Sequence, residues 1–411
     1  MGDYNTTGIE PAENESAKII LRDVYKVFGA QAPEAIRLLD AGKSKADIHG
    51  RTGCAIGVMA ANFEIRAGEI FVIMGLSGSG KSTLLRLINR LIEPTRGAIL
   101  IDGQDIVRMA KRDLIALRRR DMSMVFQSFA LLPNRTVLDN AAFGLEVAGV
   151  AEEERARKAR AALAAVGLDR YADSRPDQLS GGMKQRVGLA RALAAEPTIL
   201  LMDEAFSALD PLIRTEMQDE LLRLQAEHSR TIVFVSHDLD EAMRIGDRIA
   251  IMQDGRVVQV GTPEEIVMNP ANDYVRSFFK GVDVTRVFRA GDIARTTQLT
   301  LIERSGVSVH AAIERLRHHD RDVAIVTTRD KRYQGMVSAD SLAEAARKAG
   351  PDPYKGALLP DTAPVDADAP LAQVLRRVAE SRWPVPVVDR GGRYVGAISK
   401  SALLLTLDRA S

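Results

Sequence analysis

Cysteine is nearly absent from this chain: Cys54 stands alone among 411 residues. A single thiol cannot close an internal disulfide, which excludes a disulfide-stapled secreted scaffold and fits a reducing compartment. Cys54 itself reads as a small buried apolar residue. Tryptophan occurs once and aromatic residues make up only 5%, yet the 46% hydrophobic content is that of a globular chain. No run of about 18 uncharged apolar residues occurs and no apolar signal core follows Met1, so neither a membrane span nor a secretory route is expected. Any membrane role is then peripheral. Net charge is nearly absent too: 56 Lys and Arg face 55 Asp and Glu, so no overall field draws the chain to a polyanion and nucleic acid is not an expected partner. At ~150 residues per domain the length accommodates two to three domains, each with its own core.

What is present begins with Gly75-Leu76-Ser77-Gly78-Ser79-Gly80-Lys81-Ser82, set between the apolar run Phe71–Met74 and the helical pattern Thr83–Ile88. Strand, glycine loop and helix in this order make a phosphate-binding loop. The glycines let successive N–H groups turn into an anion nest, and the helix adds its positive end. Lys81 would reach the β- and γ-phosphates, and the Ser82 hydroxyl would complete the coordination of Mg²⁺. A second anion site of the same physical kind is Ser180-Gly181-Gly182, expected to run into a helix over Val187–Ala195. The apolar strand Ile199–Met202 ends in Asp203-Glu204. Consecutive residues at a strand end diverge, so Asp203 can enter a Mg²⁺ shell while Glu204 polarises a water. His237 follows the buried strand Thr231–Ser236, at the edge of a parallel sheet that faces a ligand crevice.

Around these motifs the chain reads as follows. Residues 1–18 form a loose polar tail. Ile19–Tyr25 is a first strand, leading to Phe28, an aromatic placed to stack on a purine. Residues 30–57 interrupt the strand pattern with an amphipathic segment, Pro33–Asp40, and a polar loop, serving either surface decoration or a partner contact. Val58–Ile65 and Ala98–Ile101 are strands, and Met122–Phe126 is a strand ending at Gln127. Arg118-Arg119-Arg120 reads as a solvated basic face, with a phosphate or partner contact as the alternative. Helix formers dominate 134–172, a helical insertion in an α/β core.

The order of these features resembles that of ATP-binding-cassette (ABC) ATPases. The segments IFVIMGLSGSGKSTLLRLINRLIEPTRG, VFQSFALLPNRTVLDNAAFG and DEAFSALDPLIRTEMQDEL, with the insertion before Val58, are most similar to the ATP-binding subunits of glycine betaine/L-proline importers. The resemblance covers 19–280. It implies a P-loop NTPase domain there, with a helical subdomain over about 128–190. It also implies ATP and Mg²⁺ as bound groups, with Phe28 stacked on adenine and Tyr25 as the competing aromatic. Gly75, Ser77, Gly78, Ser79, Gly80, Lys81, Ser82 and Thr83 would lie around the phosphates. Ser82, Gln127 and Asp203 would lie around the metal, and Glu204, His237 and Lys81 would be catalytic. Ser180, Gly181, Gly182 and Asp210 would act across a homodimer, and residues 127–132 on integral membrane permease subunits. A periplasmic or lipid-anchored solute-binding protein completes such a complex, and this chain would lie peripherally at the cytoplasmic face of the membrane. The alternatives are the ATPase of another small-solute importer, or a cassette ATPase outside transport.

Residues 281–411 repeat themselves. Ile313, Val326, Arg332-Tyr333, Gly335 and Ser338 are matched 61 residues on by Val374, Val387, Arg393-Tyr394, Gly396 and Ser399. Each copy reads helix, strand, turn, strand, short helix, an α+β pair sharing one core. This resembles a tandem cystathionine-β-synthase (CBS) regulatory module. In ligand-binding copies of that module an acidic residue follows the Ser/Thr by three positions. Here Ser341 and Ala402 stand there, with Asp340 one place early, so ligand sensing and a scaffold role both stay open. Arg315, Arg317, His318, His319, Arg321, Arg376, Arg377 and Arg382 offer either a solvated face or a salt-sensitive contact with anionic lipid.

Overall fold

Ile70–Gly75 is buried at all six positions, as a strand covered on both faces must be. It belongs to a computed structural model that describes residues 17–127, 130–207, 209–279, 285, 287–302, 309–348 and 353–409. The expected tail therefore lies outside the described residues except for Ala17 and Lys18, which open the first strand. Ser128 and Phe129 of the expected membrane-coupling region and Ala208 of the turn before Asp210 lie outside them as well. The chain forms two units that divide at Pro263/Glu264, ahead of the boundary expected at 280, because two short helices after the last strand of the first unit group with the C-terminal unit.

In the first unit β1 (Ala17–Phe28) and β2 (Ala55–Arg66) pair antiparallel and extend beyond the expected strands. Asp23 at φ 49° and the register shifts beside it break the alternation that strand reading depends on. Between them lie α1 (Ala32–Asp40) and α2 (Lys45–Thr52). The segment read as a polar loop thus contains a second helix. Ser44 caps it, accepting from the Asp47 amide at 3.1 Å, and Gly53 at φ 63° ends it. Val27, Ala35, Ile48 and Cys54 form a small satellite core beneath this insertion.

The chain continues through β3 (Ile70–Gly75), α3 (Lys81–Ile88), β4 (Arg96–Ile101), β5 (Gln104–Asp105), α4 (Lys111–Asp121) and β6 (Met122–Val125). Arg118, expected on a solvated face, instead donates to the carbonyls of Asn89 and Arg90 at 2.9 and 2.6 Å, capping the end of α3. Then come α5 (Val137–Val147), α6 (Glu152–Ala165) and α7 (Gly181–Ala194), three helices in mutual contact. α7 starts at Gly181 rather than Val187, because Ser180 already caps it by accepting from the Met183 amide at 3.3 Å. The unit closes with β7 (Ile199–Asp203), α8 (Pro211–His228), β8 (Thr231–Ser236), α9 (Leu239–Ile245), β9 (Arg248–Gln253) and β10 (Arg256–Gly261).

Two sheets result. One is antiparallel, ordered β2-β1-β4-β5; the other is ordered β10-β9-β3-β8-β7-β6 and is parallel from β9 to β6. Facing side chains of the two sheets, among them Ile19, Leu21, Val58, Phe71 and Ile199, make one core with Leu84 of α3, and Phe63 stacks on Phe71 at 5.2 Å. Parallel strands send all their C-terminal ends to one edge, where the loops gather.

The second unit holds α10 (Pro263–Met268), α11 (Asp273–Phe278), α12 (Ala290–Ile293), β11 (Leu299–Ile302), α13 (Val309–His318), β12 (Val323–Thr327), β13 (Tyr333–Ser338), α14 (Ala339–Arg347) and α15 (Pro353–Gly356), then β14 (Val365–Asp366), α16 (Leu371–Glu380), β15 (Val385–Val388), β16 (Tyr394–Ile398) and α17 (Lys400–Arg409). Its two three-stranded sheets, β11-β12-β13 and β14-β15-β16, each join one parallel and one antiparallel pair. The copies are stitched together by Tyr333 N–H to the Gly392 carbonyl and Tyr394 N–H to the Lys331 carbonyl, at 3.0 and 2.8 Å. Ser338 and Ser341 cap α14 reciprocally, so the position expected to be acidic is occupied by a helix-capping hydroxyl. Of the basic residues, Arg317 pairs with Glu314, Arg376 with Glu380, and Arg382 lies over Trp383.

Asn140 on α5 is fully buried and clamps the chain that follows Gln127. It accepts from the Leu132 amide at 2.7 Å and donates to the carbonyls of Leu132, Arg135 and Thr136. Asn140→Ala strands these groups and is expected to cost about 2 kcal/mol locally. Hydrogen exchange checks this: the Leu132 amide loses protection, while β3 and β8 keep theirs.

Candidate functional site

The phosphate loop is shaped by what presses on it. A Cβ at Gly75 (φ 151°) would sit 2.3 Å from the Met252 carbonyl oxygen, and one at Gly80 (φ 104°) 2.3 Å from that of Gly57. Only glycine fits such backbone contacts at these angles. Ser77 and Gly78 face solvent at the tip, and Ser79 Oγ is buried without a hydrogen-bond partner among the described residues. Gly80 is the N-cap of α3 and has no side chain to accept a hydrogen bond, so the free amides of Lys81, Ser82 and Thr83 open the helix. Lys81 Nζ folds back onto the Gly75 and Leu76 carbonyls at 2.9 and 3.1 Å. Burial pushes its pKa down, against the pull of Glu204 and Asp203.

Asp203 and Glu204 diverge as adjacent strand-end residues do. Asp203 turns inward, where Oδ2 accepts from Arg86 at 3.1 Å and Oδ1 is buried with no partner among the described residues. Glu204 occupies the left-handed region at φ 46°, a strained conformation of the kind that clusters at functional sites. It is held there by its amide on the Val235 carbonyl at 3.1 Å and by the Ser207 hydroxyl on its own carbonyl at 2.9 Å. Three groups meet its carboxylate: Gln127 Nε2 at 3.2 Å, His237 Nδ1 at 3.4 Å and Lys81 Nζ at 3.9 Å.

Phe28, 41% exposed, packs beside the phosphate-loop helix. A Cβ at Gly57 would meet its ring at 2.8 Å and the Thr83 methyl at 3.3 Å, and Lys26 Nζ lies 5.0 Å from the ring centroid. Tyr25 is 9% exposed with the Arg96 guanidinium 3.9 Å over its ring, so its face is taken. Ser180, Gly181 and Gly182 gather elsewhere. A Cβ on Gly182 would come 2.8 Å from Ile213 Cγ2, and Asp210 caps α8 through the Ile213 amide at 3.1 Å. These hydrogen bonds run to the starts of their own helices and leave the glycine-rich turn and Asp210 open to solvent.

Sequence reading missed Arg86 and Gly57. Arg86 stands five residues after Lys81 on the same helix, and Gly57 is a glycine inside a strand, a sign of close approach. Among the described residues no three His, Cys, Asp or Glu side chains converge as a metal cage. The donors present, a hydroxyl, an amide and one orphaned carboxylate oxygen, fit a hard cation held largely by phosphate oxygens.

The family model described as ABC transporter matches residues 58–207, and the one described as CBS domain matches 358–409, the second of the two repeats. The glycine betaine/proline betaine transport system ATP-binding protein ProV of Salmonella typhimurium is 57% identical, covering 95% of this chain and 98% of its own. The glycine betaine/carnitine transport ATP-binding protein GbuA of Listeria monocytogenes is 48% identical over the same shares. The glycine betaine transport ATP-binding protein OpuAA of Bacillus subtilis is 46% identical, covering 95% and 93%. Among solved structures, the dimeric bacterial ABC transporter cassette MJ0796 matches 59% of this chain and 98% of its own, with TM-score 0.51 and 34% identity. The same cassette with ADP and phosphate bound matches at TM-score 0.51 and 33% identity. Among the described residues no helix is long and apolar enough to cross a membrane.

Proposed function

The chain belongs to the ATP-binding proteins of glycine betaine-type ABC transport systems, and from that premise we propose that it hydrolyses ATP to energise import of glycine betaine, proline or a related compatible solute. The observation that carries the reading is the convergence of Gln127, His237 and Lys81 on the strained Glu204 carboxylate beside the phosphate loop.

The triphosphate would lie against Gly75, Ser77, Gly78, Ser79 and Gly80, with the amides of Lys81, Ser82 and Thr83 toward its oxygens and adenine on the open face of Phe28. Lys81 Nζ would exchange its two carbonyl acceptors for β- and γ-oxygens. Ser82, Gln127 and Asp203 would hold Mg²⁺, which when bound neutralises charge on those oxygens. Glu204 accepts a proton from water as the water oxygen bonds to the γ-phosphorus and the bond to the bridging oxygen breaks, leaving ADP and phosphate. His237 orients Glu204 and contacts the γ-phosphate.

Ser180–Gly182 and Asp210 complete the site of a second copy in a head-to-tail pair, a reading supported by the dimeric cassette relative and by their open position here. Gln127 and the clamped chain after it would pass closure to integral membrane permease subunits, with a solute-binding protein delivering the solute outside. The chain would then sit peripherally on the cytoplasmic face. The C-terminal repeat pair would tune this cycle.

Glu204→Gln is expected to keep ATP affinity while lowering turnover about a hundredfold or more; near-normal steady-state hydrolysis would remove Glu204 from the role of base. Ser180→Arg should abolish hydrolysis with ATP still bound to the variant's own loop, and unchanged hydrolysis would speak against a shared site. Removing residues 281–411 should leave ATPase activity intact and flatten the response of transport to ionic strength in the reconstituted complex. A transport response as steep as the parent's would deny these residues a tuning role.

A further inference from the structure

Behind His237 lies a buried polar cluster that the hydrolysis reading does not use. Gln218 on α8, Ser236 at the end of β8 and Glu241 on α9 are 5%, 2% and 6% exposed. Glu241 Oε1 accepts from Gln218 Nε2 at 3.2 Å and Oε2 accepts from the Ser236 hydroxyl, which itself accepts from the Asp238 amide at 3.0 Å. The residue between Ser236 and Asp238 is His237. A second tie runs parallel to the first: Arg214 on α8 donates to Asp238 Oδ2 at 2.9 Å, while Asp238 Oδ1 caps α9 by accepting from the Glu241 amide at 3.2 Å. Arg214 and Gln218 are four residues apart on one helix face, and that helix begins at Asp210. Arg214, Glu241, Glu204 and His237 also line one small cavity.

The chemistry is costly for a purely structural device. Burying a carboxylate whose two oxygens accept, among the described residues, from an amide and a hydroxyl, with Arg214 engaged by Asp238 and Arg244 donating to Gln218 Oε1 at 3.2 Å and to Asp219 at 2.7 Å, is unfavourable beside an apolar residue of the same size. What the cluster provides is geometry: it fixes the backbone on both sides of His237 to α8.

We propose that Glu241 is a positioning residue that, with Gln218, locks the His237 turn to α8, so that a shift of Asp210 at the head of α8 moves His237 relative to Glu204. The inference rests on the reading of His237 as the residue that orients Glu204. Contact of Asp210 with a second copy would thereby set the hydrolytic geometry in the first.

The test measures kcat, KM and ATP affinity on the full-length protein. Glu241→Ala and Gln218→Ala are each expected to lower kcat roughly ten- to a hundredfold, as an ångström-scale misplacement does, with ATP affinity within twofold of the parent. The double variant should lose no more than the worse single one. Glu241→Gln, which keeps a hydrogen bond to each neighbour, should stay within threefold of the parent. In a His237→Ala background neither alanine substitution should lower kcat further. Unchanged kcat in Glu241→Ala, multiplicative losses, losses that track ATP affinity, or a further loss without His237 would each overturn the proposal. Should Glu241→Ala not fold, Gln218→Ala decides by the same criteria. Failure of the underlying site reading is seen separately, as hydrolysis that survives Glu204→Gln.

Discussion

The register of one parallel sheet governs everything chemical in the first unit. Gly75 pairs with Met252, Met74 with Ser236, Val235 with Asp203 and Met202 with Val125. Because the strands run the same way, these pairings bring the phosphate loop, the acidic pair, His237 and Gln127 to a single edge. A slip of one residue in any strand would turn its side chains to the opposite face. The buried apolar runs of β3, β7 and β8 fix that register, so the hydrophobic core and the geometry of the site are one constraint.

On this frame the site is held by local strain and close contact. Glu204 keeps a left-handed backbone because its amide and carbonyl are both tied down, and Gly75 and Gly80 stand where neighbouring carbonyls leave no room for a side chain. The same rigidity extends backward from His237 through Ser236 and Glu241 to α8. The first unit is therefore stiff around the Glu204 carboxylate and open to solvent at Ser180, Gly181 and Asp210. In the C-terminal unit, by contrast, Ser341 stands where a ligand-binding acid is expected and caps α14 reciprocally with Ser338, and several basic side chains have local partners.

The order of motifs along the chain and their assignment to strand ends could be read from residues alone, since a glycine-rich loop and an apolar strand ending in carboxylates carry their chemistry locally. The 61-residue repeat of the C-terminal unit was legible in the same way. Most of what could not be read came from contacts distant in sequence. Arg118 reads as solvated because its acceptors, the Asn89 and Arg90 carbonyls, lie in the turn that ends α3, nearly thirty residues earlier in the chain. The different surroundings of Phe28 and Tyr25 likewise come from Arg96, distant in sequence, which lies over the Tyr25 ring and leaves Phe28 the more exposed of the two. The second helix of the insertion was missed although Ser44 and Gly53 marked its ends, because its few apolar residues give a weak period.

The sequence by itself determined which groups are available: the loop that can cradle phosphate, the acid pair, the histidine, the serine-glycine turn and the repeated C-terminal motif. Each depends on residue type and short spacing, which the chain carries locally. Only the tertiary structure decided that Gln127, His237 and Lys81 share the Glu204 carboxylate, that Arg86 engages Asp203, and that Glu241 joins the His237 turn to α8. Those pairings span from 5 to 123 residues of chain, and their partners meet because parallel strands and the helices packed on them bring distant segments to one edge.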